Sequence, residues 1–226
     1  MNRVIRRRPR QRRSIRTVEA ILDAVTDVLV HDGVKAVTTN RIAEAAGLSI
    51  GSIYQYFPDK QAIFAALHQR HVEEVDRLVE TTLLENASEP LEEMMGAILK
   101  AMINVHVDNS KLFTLLFNEV PHRTGGSHEF AVRVHGAFRL AVSSQLAGPR
   151  ARRDLDRIAF VLASLVESLS HSVVLRRPPI LSINDAKEEA LRAVRAYIRA
   201  IKQPAEAGSR RAGRGGEGLQ RGSRRS

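Results

Sequence analysis

Cysteine and tryptophan are absent from the 226 residues, and aromatic side chains are so few, 4% of the chain, that any clustering of them carries information. Without cysteine there is no disulfide framework, no thiolate metal site and no sulfur nucleophile, which fits a reducing compartment. No uninterrupted apolar run reaches the roughly 18 residues of a membrane span, and the basic N-terminus lacks the apolar stretch of a signal peptide. A cytoplasmic protein with no membrane partner is expected. Gly-rich phosphate loops, a nucleophile elbow and a zinc-binding helix motif are also missing, so nothing here supports an enzyme. His68 with His71, and His122 with His128 and His135, offer no helical i, i+4 pair with a partnering acid, so neither metal nor cofactor is expected.

What the chain holds in excess is arginine, and it holds it at the ends. The formal net charge is +10, residues 1 to 16 carry eight arginines and no acid, and residues 204 to 226 carry six against Glu206 and Glu217. The body between them is close to neutral. Residues 1–13 read as a disordered basic arm and 204–226 as a Gly/Arg-rich tail too poor in apolar residues to fold. A basic arm ahead of a folded domain also suits a polyanion, because each neutralised phosphate releases counterions. The hydrophobic content of 43% is enough for the core of one large domain or two small ones.

Between the ends the periodicity is helical throughout, so the fold class expected is all-α, with about nine helices. Val18, Ile21, Leu22, Val25, Val28 and Leu29 recur at three- and four-residue steps, and Gly33 follows as a left-handed stop. A short second helix starts at Thr38 or Thr39 and ends at Gly47; a short third is capped by Ser49 and runs to Phe57. Pro58 breaks the pattern, and Asp59 caps a much longer fourth helix from Lys60. Two short helices joined by Gly47-Leu48-Ser49 between longer ones form a helix-turn-helix, whose second short helix lies in the DNA major groove. Ala43, Ala46 and Gly47 allow close approach at the turn, and Leu48 and Ile53 fill the core. Gly51 and Ser52 keep the leading face low. Tyr54 and Tyr56 become hydroxyl donors to flanking phosphates, Tyr54 being the more open of the two to a packing role, while Phe57 packs inward.

The run TTNRIAEAAGLSIGSIYQYFPDKQAIF, with AILDAVTDVLVHDG before it, resembles the N-terminal DNA-binding domain of the tetracycline-repressor (TetR) family of bacterial transcription regulators. The likeness covers roughly residues 14 to 64. It implies that Thr39, Asn40 and, less strongly, Arg41 meet DNA from the second helix. Ser49, Gly51, Ser52, Tyr54, Gln55 and Tyr56 meet it from the recognition helix, and Lys60 grips a phosphate. Gln55, which can pair with adenine, is the residue for base readout. Arg6 to Arg13 would reach an adjacent minor groove. The domain boundaries expected are 14–60 for the DNA-binding domain and 61–203 for a helical ligand-binding and dimerisation domain.

In that larger domain Pro90, Gly125-Gly126, Gly148-Pro149 and Pro178-Pro179 divide the chain into about five further helices. Phe64, Leu67, His71, Val75 and Leu78 form one face of the fourth. The segment 154–175 is apolar almost all round and must be covered on most sides; 185–202 shows a stripe of Ala190, Leu191, Val194, Tyr197, Ile198 and Ile201. By the resemblance these two helices pair with a second copy as a four-helix bundle, giving a homodimer on a palindromic double-stranded operator with half-sites roughly 34 Å apart. Phe113, Phe117, Phe130, Phe138 and Phe160 supply apolar bulk, each serving the core before any ligand. Phe113, Phe117 and Phe138, with Glu167 and His171 one turn apart, are the candidates for a small apolar effector. Glu167 and His171 serve either ligand recognition or dimer register, with register favoured. The family then implies a ligand-released repressor. A non-specific architectural protein working through its arginine-rich ends is the alternative, and a steep loss of binding with salt and no sequence preference would mark it.

Overall fold

The computed structural model describes residues 12–119, 125–146 and 149–202, and the side chains within them except at 125–130 and 149–153. These residues form nine α-helices: α1 Arg12–Asp32, α2 Thr39–Ala45, α3 Ile50–Tyr56, α4 Lys60–Glu85, α5 Leu91–Asp108, α6 Ser110–Glu119, α7 Gly125–Gln145, α8 Pro149–Leu175 and α9 Ile183–Lys202, with one 3-10 turn at Val34–Ala36. Most of the arm and the whole tail expected at the two ends lie outside the described residues. Arg12 and Arg13, counted with the arm, form the first turn of α1.

Local chemistry accounts for the helix ends. Gly33 and Gly47 have φ of +82° and +63°, where a side chain would be strained. At Gly47 the Leu48 N–H reaches the Ala43 carbonyl at 2.9 Å and the Gly47 N–H the Glu44 carbonyl at 3.1 Å, the paired bonds of a Schellman close. Thr38, Ser49 and Asp59 cap α2, α3 and α4 by accepting from Arg41 N, Ser52 N and Ala62 N. α9 starts two residues before the expected 185, because Ser182 and Asp185 cap it reciprocally. α8 starts at Pro149 instead of 154, since proline suits a first helical turn. The break between α5 and α6 is set by Asn109, whose side chain donates to the Val105 carbonyl, with neither glycine nor proline to announce it.

Two apolar cores result. One joins α1, α2, α3 and the first half of α4 with Leu115 and Leu116 of α6; the other joins Val75 and Val79 of α4 with α5, α7, α8 and α9. The buried face of α4 runs Phe64, Leu67, His71, Val75 and Val79, while Leu78, expected on it, is only half-buried.

The last two helices bury their apolar residues unequally. Over Asp154–Leu175 the mean hydropathy is 1.8, which by length and composition is enough to cross a membrane. Counting uninterrupted apolar residues missed this, because Glu167, His171 and several serines break the run. The helix packs here against α5, α7 and α9, yet only a third of its apolar window is buried, and Phe160 stands 64% exposed. In α9, by contrast, Ala190, Leu191, Val194 and Ile198 are buried within the chain, and α9 lies against α5 and α8. Most of the stripe is therefore covered by the chain itself, with Tyr197 and Ile201 left half-buried.

Replacing Asp59 by alanine removes the cap of the helix shared by both cores. It is expected to cost about 1 kcal/mol and to lower the melting temperature by roughly 2–4 °C in a chain of this size, with Asp59→Ser restoring most of the loss in a thermal melt.

Candidate functional site

The helix-turn-helix presents α3 outward from a fully closed inner face. Ile53 and Phe57 have no exposed surface and anchor the helix in the N-terminal core, with α2 packed alongside. Gly51, Tyr54 and Gln55 are exposed, with Tyr54 at 43%. Both tyrosines are expected to face phosphates, with Tyr54 the more open to packing; in the structure Tyr56 is the one half-buried against the N-terminal core, and Tyr54 is exposed. The Ser49 and Ser52 hydroxyls lie 2.8 Å apart, so each is engaged at the helix start. In α2, Asn40 is exposed and Thr39 half-buried. Arg41 is held by Asp32 at 2.8 Å and Glu44 at 3.0 Å, and hydrogen bonding to Asp32, then Glu44, raises its pKa. Lys60 opens α4 with its ammonium 5.3 Å from the centre of the Phe64 ring, which steadies a cation that remains half-exposed. α3 carries no charged side chain. Positive charge for phosphates must come from beside it.

A second feature lies within the bundle. A cavity of about 120 Å³ opens between α4, α5, α7 and α8, and Phe138, Phe160 and Glu167 are among its walls. Of the residues expected to meet an effector, Phe138 and Glu167 line it, whereas Phe113, Phe117 and His171 gather elsewhere. His106 stacks on Phe113 at 4.1 Å between ring centres, with His171 at 5.1 Å and His71 at 5.4 Å from His106; Phe117 lies 6.4 Å from Phe113. This cluster stands one helical turn from the cavity, as Met102 to His106 on α5 and Glu167 to His171 on α8 show. It sits on the side of the DNA-reading core, into which the next residues of α6, Leu115 and Leu116, insert. Sequence reasoning missed His106, although a histidine at the fourth step after Met102 on an apolar face signals burial. His122 lies outside the described residues, as do the side chains of His128 and Phe130.

Burial dominates the electrostatics. It lowers the pKa of His71 to about 4 and that of His106 to about 3, with neighbouring histidines adding to the effect. His106 is 1% exposed, and its Nδ1 has no hydrogen-bond partner. The Glu167 carboxyl moves the other way, its pKa raised by burial. Glu167 is nevertheless an exposed residue in the single chain, so an apolar wall on one side, rather than full enclosure, disfavours its charge.

Known proteins align with both parts. Residues 21–67 match the family model for bacterial regulatory proteins of the tetR family, and residues 90–198 match that for a tetracyclin repressor-like C-terminal domain. The nucleoid occlusion factor SlmA of Actinobacillus pleuropneumoniae is 39% identical over 75 residues, 32% of this chain and 33% of that protein. The HTH-type transcriptional repressor KstR of Mycolicibacterium smegmatis is 30% identical over 84 residues, 36% of this chain and 41% of that one. The chain thus spans between a third and a half of the length of these curated relatives. A TetR-family transcriptional regulator from Streptomyces coelicolor superposes with a TM-score of 0.59 at 24% identity, covering 82% of this chain and 99% of that one, a likeness of fold.

The two buried histidines resist a proton that an unfolded chain takes up at about pH 6.5. Their neutral burial is compatible with full stability above that pH, and stability falls as pH drops through the window from 6.5 toward 4 and 3. Each should withdraw on the order of 2 kcal/mol by pH 5. Melting temperature should therefore fall between pH 7 and pH 5, and His106→Leu should flatten that slope; an unchanged slope would show that His106 does not contribute to it.

Proposed function

Because the chain belongs to the TetR family of bacterial regulatory proteins, and is a DNA-binding transcriptional regulator rather than an enzyme, we propose that it acts as a ligand-released repressor, binding a palindromic operator as a homodimer. The observation that carries this reading is the joining of the two cores. α4 and α6 each place side chains in the core that holds α3, and the same two helices carry His71 and Phe113, which meet His106, one turn from the cavity along α5. A ligand that prefers a bundle with those residues displaced shifts the population of reading-competent molecules, by no more than its difference in affinity between the two states. The name of the relative KstR, a transcriptional repressor, agrees with repression. The dimer rests on α8, whose uncovered apolar surface calls for a partner, together with the outer, charged side of α9.

On DNA, Gln55 reads base edges, Tyr54 and Lys60 hold phosphates with Thr39 and Asn40, and Tyr56 supports the helix from behind. Binding to a promoter fragment from the protein's own genomic neighbourhood, compared with a scrambled duplex at physiological salt, tests this. Lys60→Ala should weaken both by about tenfold, whereas Gln55→Ala should lower the preference for the promoter by about the same factor. Equal loss on the two duplexes for Gln55→Ala would remove it from readout. Preference that disappears when residues 1–11 and 203–226 are deleted from a still folded dimer would favour the arginine-rich ends instead.

Ser168 is exposed on α8 and does not line the cavity. Ser168→Arg should shift the sedimenting mass from two chains to one and abolish operator binding, while leaving the melting profile of the single chain nearly unchanged.

A further inference from the structure

The cavity between α4, α5, α7 and α8 is chemically one-sided. Phe138 and Phe160 give it two aromatic faces, and Met102 and Val79 add apolar wall. Among the described residues its polar groups are the Glu167 carboxyl, the Ser164 hydroxyl and the His135 ring, and none of those lining it is lysine or arginine. The arginines nearest in sequence on α7 and α8 are already engaged: Arg133 with Asp76 at 2.6 Å, Arg139 with Asp156 at 2.7 Å and Arg157 with Asp154 at 3.1 Å. Burial is the one resolved influence on Glu167, and no cation among the described residues offsets it.

Three ligand classes can be weighed against these walls. An anion would bring a second negative charge beside a carboxyl for which the described residues supply no counter-ion, against an apolar wall that screens the repulsion less than water does on the open side. A wholly neutral molecule would cover Glu167 and leave it without the partner that a buried charge requires. A cation provides that partner: an ammonium donates charge-assisted hydrogen bonds to the carboxylate, and aromatic faces attract it further. Size narrows the class. A dry engineered cavity of roughly 150 Å³ holds benzene, so about 120 Å³ suits a single ring or a short branched alkyl group, with its polar end at the mouth.

We propose that the effector of this cavity is a small apolar amine, its ammonium paired with Glu167 and hydrogen-bonded to Ser164, its hydrocarbon body against Phe138 and Phe160. The assignment of an effector rests on the ligand-released reading above. The class of effector rests on the cavity wall alone. Glu167 is the residue that selects it, and the pairing places the ligand one turn from His171 and His106, at the boundary with the DNA-reading core.

Three probes of one shape test this on the full-length protein: benzylamine, benzyl alcohol and benzoate, each titrated calorimetrically and each added to the protein on its promoter fragment. Benzylamine should bind at least about tenfold more tightly than benzyl alcohol, with benzoate weakest, and Glu167→Gln should remove most of that advantage while leaving benzyl alcohol unchanged. Benzoate binding as well as benzylamine, no probe binding at all, or an unchanged benzylamine affinity in Glu167→Gln would each overturn the proposal. So would a Glu167→Gln protein that sediments as a single chain, since the carboxyl would then set dimer register. The ranking of the three probes on the unsubstituted protein decides the matter if the variant fails to fold. Benzylamine that binds through Glu167 without changing operator affinity sinks ligand release and leaves the amine assignment standing. Release of operator by benzyl alcohol with no preference for the amine does the reverse.

Discussion

α4 belongs to two apolar cores at once, and the rest of the molecule is arranged around that sharing. Its first two turns give Ala62, Ile63, Phe64 and Leu67 to the core that holds the reading helix; Val75 and Val79 enter the core of the bundle. A helix whose ends are packed into different cores cannot pivot without disturbing both. The position of α3 is thereby tied to whatever fills the bundle. α6 repeats the tie on a shorter scale: Leu115 and Leu116 face the DNA-reading core, Phe113 faces the histidines, and Lys111 donates to the Val30 carbonyl at 3.0 Å at the end of α1.

The seam between the two cores is where the packing is least comfortable. His71, His106 and His171 meet there around Phe113 instead of aliphatic side chains, and the two most buried of them stay neutral only because charging them in that setting is costly. Leucine or phenylalanine would hold the seam more firmly. In the ligand-released reading proposed above, this seam of aromatic contacts and neutral imidazoles is the place where the two cores would part.

Charge is distributed with the same division of labour. α3 carries hydroxyl, amide and apolar groups only, so in the DNA complex proposed above affinity for phosphate falls to Lys60 and to the arginines of the N-terminal sequence. Arg41, which looks from sequence like a further phosphate ligand, is instead bound to Asp32 and Glu44 and helps fix α2 against the end of α1. In the bundle, Arg133 and Arg139 of α7 and Arg157 of α8 are likewise tied to aspartates, and Glu167 is the one carboxyl among the described residues that line the cavity.

The sequence by itself determined the all-helical class, the helix-turn-helix and its caps, because those depend on neighbours three or four residues apart. Thr38, Ser49, Gly47 and Asp59 act within one turn of where they stand. It also marked Phe57 as inward and Gln55 as outward. Only the tertiary structure decided which of Tyr54 and Tyr56 faces outward, that most of the stripe of α9 is covered by its own chain, and that five candidate ligand residues divide between a cavity and a histidine seam. Those outcomes depend on which helix lies opposite, a relation between residues far apart in the chain that periodicity along one helix does not encode.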